Sequence, residues 1–124
     1  NIQFQIDAQN LAFAIADAIP IGLIVSELVT NAIKHAFIKK QDGMIQISMQ
    51  KSDELIKLVV SDNGSGIKEG VDMSGAKSLG LYIVDNLVKI QLRGEIEVSS
   101  GEGTKYTIKF PVPDSSHVIS VVNR

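Results

Sequence analysis

"DAIPIGLIVSELVTNAIKHAF", Asp17 to Phe37, is the stretch on which the fold turns. Asp17 is suited to cap a helix N-terminus, and Pro20 is tolerable in a first turn. Leu23, Leu28, Ala32, Ile33 and Ala36 recur at helical spacing, which predicts a long helix with one apolar face. Gly22 interrupts it and implies close packing there. Glu27 and Asn31 are spaced i, i+4, and Lys34 and His35 follow at i+7 and i+8, so all four lie on or near one face. A solvated polar stripe is the ordinary meaning of such a face. This one groups a carboxylate, an amide oxygen, an ammonium and a flat ring between Leu, Val and Ile flanks. Such a set can ligate Mg²⁺ through Asn31, meet phosphate with Lys34 and stack on a base with His35.

Around this helix the pattern is that of strands. Ile2, Phe4 and Ile6 alternate with polar residues, and Leu11, Phe13 and Ile15 alternate across the turn-like Asp7–Asn10, which predicts a hairpin. After the break at Gln41–Gly43, Ile45, Ile47 and Met49 alternate, and Leu55–Val60 reads as their partner across a turn near Ser52–Asp53. From Asp62 to about Ser78 there is no period. "LGLYIVDNLVKIQ", Leu79 to Gln91, predicts a second helix, and two strands close the pattern around the "SGEG" turn, Ser100 to Gly103. In the tail, "HVISVV" reads either as one more strand or as a disordered end. The order ββ-α-ββ-loop-α-ββ predicts an α/β sandwich of the α+β class, a mixed, mostly antiparallel sheet with helices on one face. Residues 1–113 are expected to form one domain and residues 114–124 a C-terminal tail.

The 124 residues suffice to bury a core, and 44% apolar against 21% charged residues is a globular balance rather than a disordered one. A net charge of −2 gives no bulk support for nucleic-acid binding. The absence of cysteine excludes disulfides, thiolate metal sites and a cysteine nucleophile. No apolar run is read as approaching the roughly 20 residues of a membrane span, so no membrane contact and a cytoplasmic location are expected.

The unpatterned stretch opens with "VVSDNGSGIKEG", Val59 to Gly70. A hairpin at Asn63-Gly64 would need a following strand, and none follows. Gly64, Gly66 and Gly70 are misspaced for a dinucleotide fingerprint, glycines stand where a calcium loop needs oxygen ligands, and no Walker lysine motif exists. Two readings survive: a structural loop, or an aspartate ending a buried strand before glycines that let a ligand approach the backbone. As an acceptor only, Asp62 suits the N–H of a flat heterocycle better than phosphate.

Glu27–His35 resembles the N box of the GHKL (Bergerat-fold) ATP-binding superfamily, and Asp62-Asn-Gly64-Ser-Gly66 resembles its G1 box. Ser78-Leu-Gly80-Leu81 is similar to the G2 box, and Gly101-Glu-Gly103-Thr104 to the G3 element before the last strand. Order and spacing agree over residues 1 to about 111. The nearest family is the catalytic and ATP-binding domain of sensor histidine kinases, in the branch with a HisKA_2-type dimerisation domain. The resemblance implies that Asp62 accepts the adenine amine with support from Thr104, and that Gly64, Gly66 and Ile67 contact the base. It further implies that Asn31 coordinates Mg²⁺, that Lys34 neutralises phosphate, and that His35 sits beside the nucleotide. Gly80 and Leu81 would offer helix-start N–H groups to phosphate, and residues 68–78 would form an ATP lid. Glu27 would activate water, as in the ATPase branches, or order the metal shell.

Three departures accompany the resemblance. Ser78 stands where many relatives have glycine, the lid is short and lacks an F box, and many histidine kinases carry asparagine at the position of Glu27. The chain has two histidines, His35 in the N box and His117 in the tail, and neither suits a phosphoacceptor. The implied partners are therefore ATP, a separate dimerisation domain bearing the acceptor histidine, and indirectly a response regulator. An anti-sigma-type serine kinase shares every box and is the nearer rival, ahead of a water-using GHKL ATPase or a non-catalytic nucleotide sensor.

Overall fold

Alternation along the central strands builds the sheet. In the computed structural model, residues 2–9, 11–36, 42–64, 79–113 and 119–120 are described. Strands β3 (Gly43–Ser52) and β4 (Leu55–Asp62) form the predicted hairpin, Ser52 opposite Leu55 and Ile45 opposite Asp62. Asp53 takes the left-handed φ of 55° at the tight turn, a conformation aspartate tolerates better than most residues. Strand β6 (Thr104–Pro111) lies antiparallel to β4, and β5 (Glu95–Ser100) antiparallel to β6.

The N-terminal hairpin is not formed. Strand β1 (Ile2–Ala8) instead runs parallel to β3, from Ile2 opposite Gly43 to Ala8 opposite Met49. The short β2 (Leu11–Ala12) pairs antiparallel with β7 (Ile119–Ser120), so the strand alternative holds for those two tail residues. The helix has already begun at Ile15, leaving too little chain for a hairpin, whereas the open edge of β3 offers seven paired positions. Gln9, assigned to the turn, prolongs that ladder: its N–H donates to the Met49 carbonyl at 3.1 Å, and its Oε1 accepts from the Lys51 N–H at 2.8 Å. The result is a five-stranded mixed sheet, β1-β3-β4-β6-β5, parallel only at the β1–β3 edge.

Helix α1 (Ile15–Asn31) starts before Asp17, with extended Ala14 as its cap residue. Asp17 falls in the first turn, and its Oδ2 is buried without a hydrogen-bond partner among the described residues, so it is not the N-cap. Pro20 lies inside the helix, beyond the first turn, and is buried there. The buried face is Ile21, Ile24, Leu28 and Ala32, while Leu23 and Ile33 are 49% and 46% exposed. So many apolar residues surround this helix that spacing alone did not settle which face turns inward. A Cβ on Gly22 would meet nothing within 4 Å, so close packing is not the reason for that glycine. By length and composition Ile15–Lys34 is apolar enough to cross a membrane, which corrects the sequence-based reading; Asp17, Glu27 and Lys34 interrupt its apolar run. In this fold the helix packs on the sheet through its buried face.

Helix α2 (Leu79–Asn86) packs on α1, and both helices widen into π-helical turns, at Ala32–Ala36 and Leu87–Gln91. Val84, Val88 and Leu92 join Ile56, Leu58 and Val60 of β4 and Ile108 and Phe110 of β6 in one core. Gly94 returns the chain so close to β6 that a Cβ would strike the Lys109 carbonyl oxygen. Both helices thus cover one face of a mostly antiparallel sheet, the α+β arrangement expected from the sequence.

Candidate functional site

The first group of candidates meets at one end of the sheet because of its register. β4 ends at Asp62, β6 begins at Thr104, and the ladder sets these two residues opposite each other. Asp62 Oδ1 accepts the N–H of Gly64 at 2.8 Å, the local bond of an aspartate turn, and that of Thr104 at 3.4 Å. One carboxylate oxygen therefore ties the loop after β4 to the turn before β6. Gly64 and Thr104 are buried, and Asp62 is half-buried. Asn63 is turned to a different task. Its Oδ1 accepts the Met44 N–H at 2.8 Å and its own N–H donates to the Met44 carbonyl at 3.2 Å, which prolongs the β3–β4 pairing.

Two residues here escaped sequence reasoning. A Cβ on Gly103 would strike the Asp62 carbonyl oxygen and lie 3.1 Å from Asn63 Cα, so only glycine permits this approach. The motif contained Gly103, but its packing role depends on register. Tyr106 is 7% exposed, and its phenol pKa is raised from 10.0 by burial first and by the negative charge of Asp62 second. The Thr104–Tyr106 alternation was the available signal, since it puts both on the core face. A hollow of about 410 Å³ opens at this strand end, lined by Asp62, Asn63, Gly101, Gly103 and Thr104 among others, with no residue of α1 or α2 in its described lining.

The helices bring a second group. Glu27 and Asn31, one turn apart on α1, are half-buried, and Lys34 is exposed in the π-helical turn. His35 belongs to the same turn; its side chain is outside the described set. Gly80 is the second residue of α2, and a Cβ there would collide with Glu27 Oε2 and lie 2.9 Å from its Cδ. The N-terminal turn of α2 is thus seated directly on the Glu27 carboxylate. Leu81 packs its side chain against the core. Gly66, Ile67, Ser78 and the expected lid 68–78 lie outside the described residues. Among the described residues no three His, Asp or Glu side chains cluster as a metal site. Glu27 and Asn31 are two hard oxygen donors, a set that fits Mg²⁺ sharing its remaining positions with phosphate and water.

The fold and this arrangement define a class. The chain belongs to the histidine kinase-, DNA gyrase B- and HSP90-like ATPase family, whose model matches residues 16–114. It is 35% identical over 121 residues to blue-light-activated histidine kinase 2 of Erythrobacter litoralis, a match covering 96% of this chain and 35% of that protein. It is 36% identical over 108 residues to the sensor histidine kinase PdtaS of Mycolicibacterium smegmatis, covering 83% of this chain and 21% of the relative. The solved histidine kinase domain of the Erythrobacter litoralis EL346 blue-light-activated kinase superposes with a TM-score of 0.84 at 35% identity, covering 90% of this chain and 55% of that one. The chain therefore spans about a third or less of the curated relatives named here. ATP is the ligand that membership of an ATPase family implies.

Proposed function

We propose that this chain is the ATP·Mg²⁺-binding catalytic domain of a two-component sensor histidine kinase, acting in the cytoplasm. It holds ATP and presents the γ-phosphoryl group to a histidine on a separate helical dimerisation domain of the same parent protein. The imidazole nitrogen attacks phosphorus, the bond to the bridging oxygen breaks, and ADP leaves. A response regulator then takes the phosphoryl group from the histidine. The supporting observation is the Asp62 carboxylate, with Oδ1 committed to Gly64 and Thr104 and Oδ2 with no hydrogen-bond partner among the described residues. In this reading Oδ2 accepts the adenine amine, and buried Thr104 closes the pocket behind it. Gly64, Gly66 and Ile67 border the base, and His35 lies beside the nucleotide.

Asn31, with Glu27, holds the metal, which supplies counter-charge to the phosphates. Lys34 and the Gly80–Leu81 N–H groups meet phosphate. The chain's own contribution to the rate is then positioning and charge neutralisation rather than covalent chemistry. The domain proper is residues 1–113, followed by a tail, 114–124. The test is to mix the chain with histidine-bearing dimerisation domains and labelled ATP. Acid-labile phosphohistidine supports the proposal, whereas acid-stable phosphoserine on a protein substrate would favour the serine-kinase reading.

A further inference from the structure

The Glu27–Gly80 contact bears on how the site discriminates metal-bound from metal-free nucleotide, an inference that rests on the nucleotide reading above. Gly80 is the second residue of α2, at the place where that reading sets the phosphates. The Glu27 carboxylate is seated against the Gly80 backbone, in the space a Cβ at position 80 would take. Among the described residues Glu27 forms no ion pair that would neutralise it. An incoming polyphosphate placed there therefore meets a half-buried negative charge. Half-burial strengthens the repulsion, because the local dielectric is lower than that of water.

We infer that Glu27, beyond its place in the metal shell, makes nucleotide binding metal-dependent by excluding polyphosphate that arrives without a divalent cation. With Mg²⁺ present, carboxylate and phosphates share a divalent counter-charge and the repulsion is offset. Glycine at position 80 is what lets the carboxylate reach this place. The role differs from water activation, which would alter turnover and leave metal-free binding unchanged. It also differs from a purely structural contact, whose loss would weaken binding in both conditions.

The experiment is calorimetry of a non-hydrolysable ATP analogue with the chain and with Glu27→Gln, each in EDTA and in Mg²⁺. Glu27→Gln is expected to tighten metal-free binding about tenfold and to leave Mg²⁺-supported binding equal or weaker. Glu27→Met, also uncharged, repeats the measurement should the amide variant fold poorly by circular dichroism. Metal-free affinity that is unchanged or reduced in a folded variant would overturn the inference alone. Failure of the unsubstituted chain to bind the analogue in either buffer would overturn the nucleotide reading as well.

Discussion

Asp62 and Thr104 face each other across the β4–β6 ladder, and the Asp62 carboxylate accepts the Thr104 N–H at 3.4 Å through the oxygen that also holds Gly64. The N–H groups of Gly64 and Thr104, one on each side of the ladder, thus share one acceptor. The loop leaving β4 and the turn entering β6 are consequently braced as a unit, and the base-reading geometry proposed for Asp62 rests on that brace.

Gly103 is the tight point of the brace. Gly103→Ala drives a methyl group into the Asp62 carbonyl, and because that obstacle is backbone, relief requires the strand ends to part. The expected cost is about 2 kcal/mol, lowering Tm by roughly 5–15 °C in a thermal melt, with nucleotide affinity falling in parallel. An unchanged melt and unchanged affinity would show that the two strand ends are not held together here.

Tyr106 gives the domain an alkaline weakness. Its phenol pKa is raised above 10.0, chiefly by burial and secondarily by Asp62. The neutral phenol is therefore the form the fold prefers. Below pH about 10 both folded and unfolded chains keep the proton, and this contribution to stability is fully present. As pH rises past 10 the unfolded chain ionises first, binds fewer protons than the folded one, and stability falls until the folded pKa is passed. Urea midpoints measured from pH 9 to 11 should decline more steeply for the natural chain than for Tyr106→Phe. Parallel declines would remove Tyr106 from the account.

Asn31 separates metal handling from nucleotide affinity. Asn31→Ala is expected to lower phosphotransfer to the histidine domain about 100-fold while changing nucleotide affinity by less than about fivefold. Mg²⁺ titration of phosphotransfer checks this, and a dependence identical to that of the natural chain would make Asn31 structural.

The parts of this molecule legible in sequence were those governed by neighbours. Alternation and a tight turn between Ile45 and Val60 announced the β3–β4 hairpin, and an aspartate ending a β-branched run marked Asp62. Non-local choices were opaque. β1 paired parallel with β3 rather than with its sequence neighbour, because a parallel partner leaves no turn signature. The inward face of α1 is not legible in sequence, because Ile19, Ile21, Leu23 and Ile24 present apolar surface on several sides and only the sheet selects among them. The packing of Gly103 and the environment of Tyr106 follow from cross-strand register. The open surroundings of Gly22 likewise depend on tertiary structure.

The most direct measurement is calorimetric titration of Asp62→Asn with an ATP analogue in Mg²⁺. Asparagine keeps an oxygen for Gly64 and Thr104 but opposes the adenine amine with its own N–H₂ group, leaving donor against donor. Affinity should fall about 100-fold while circular dichroism and Tm stay close to those of the natural chain. Binding of near-natural strength in that folded variant would contradict the assignment of Asp62 as the adenine-reading residue.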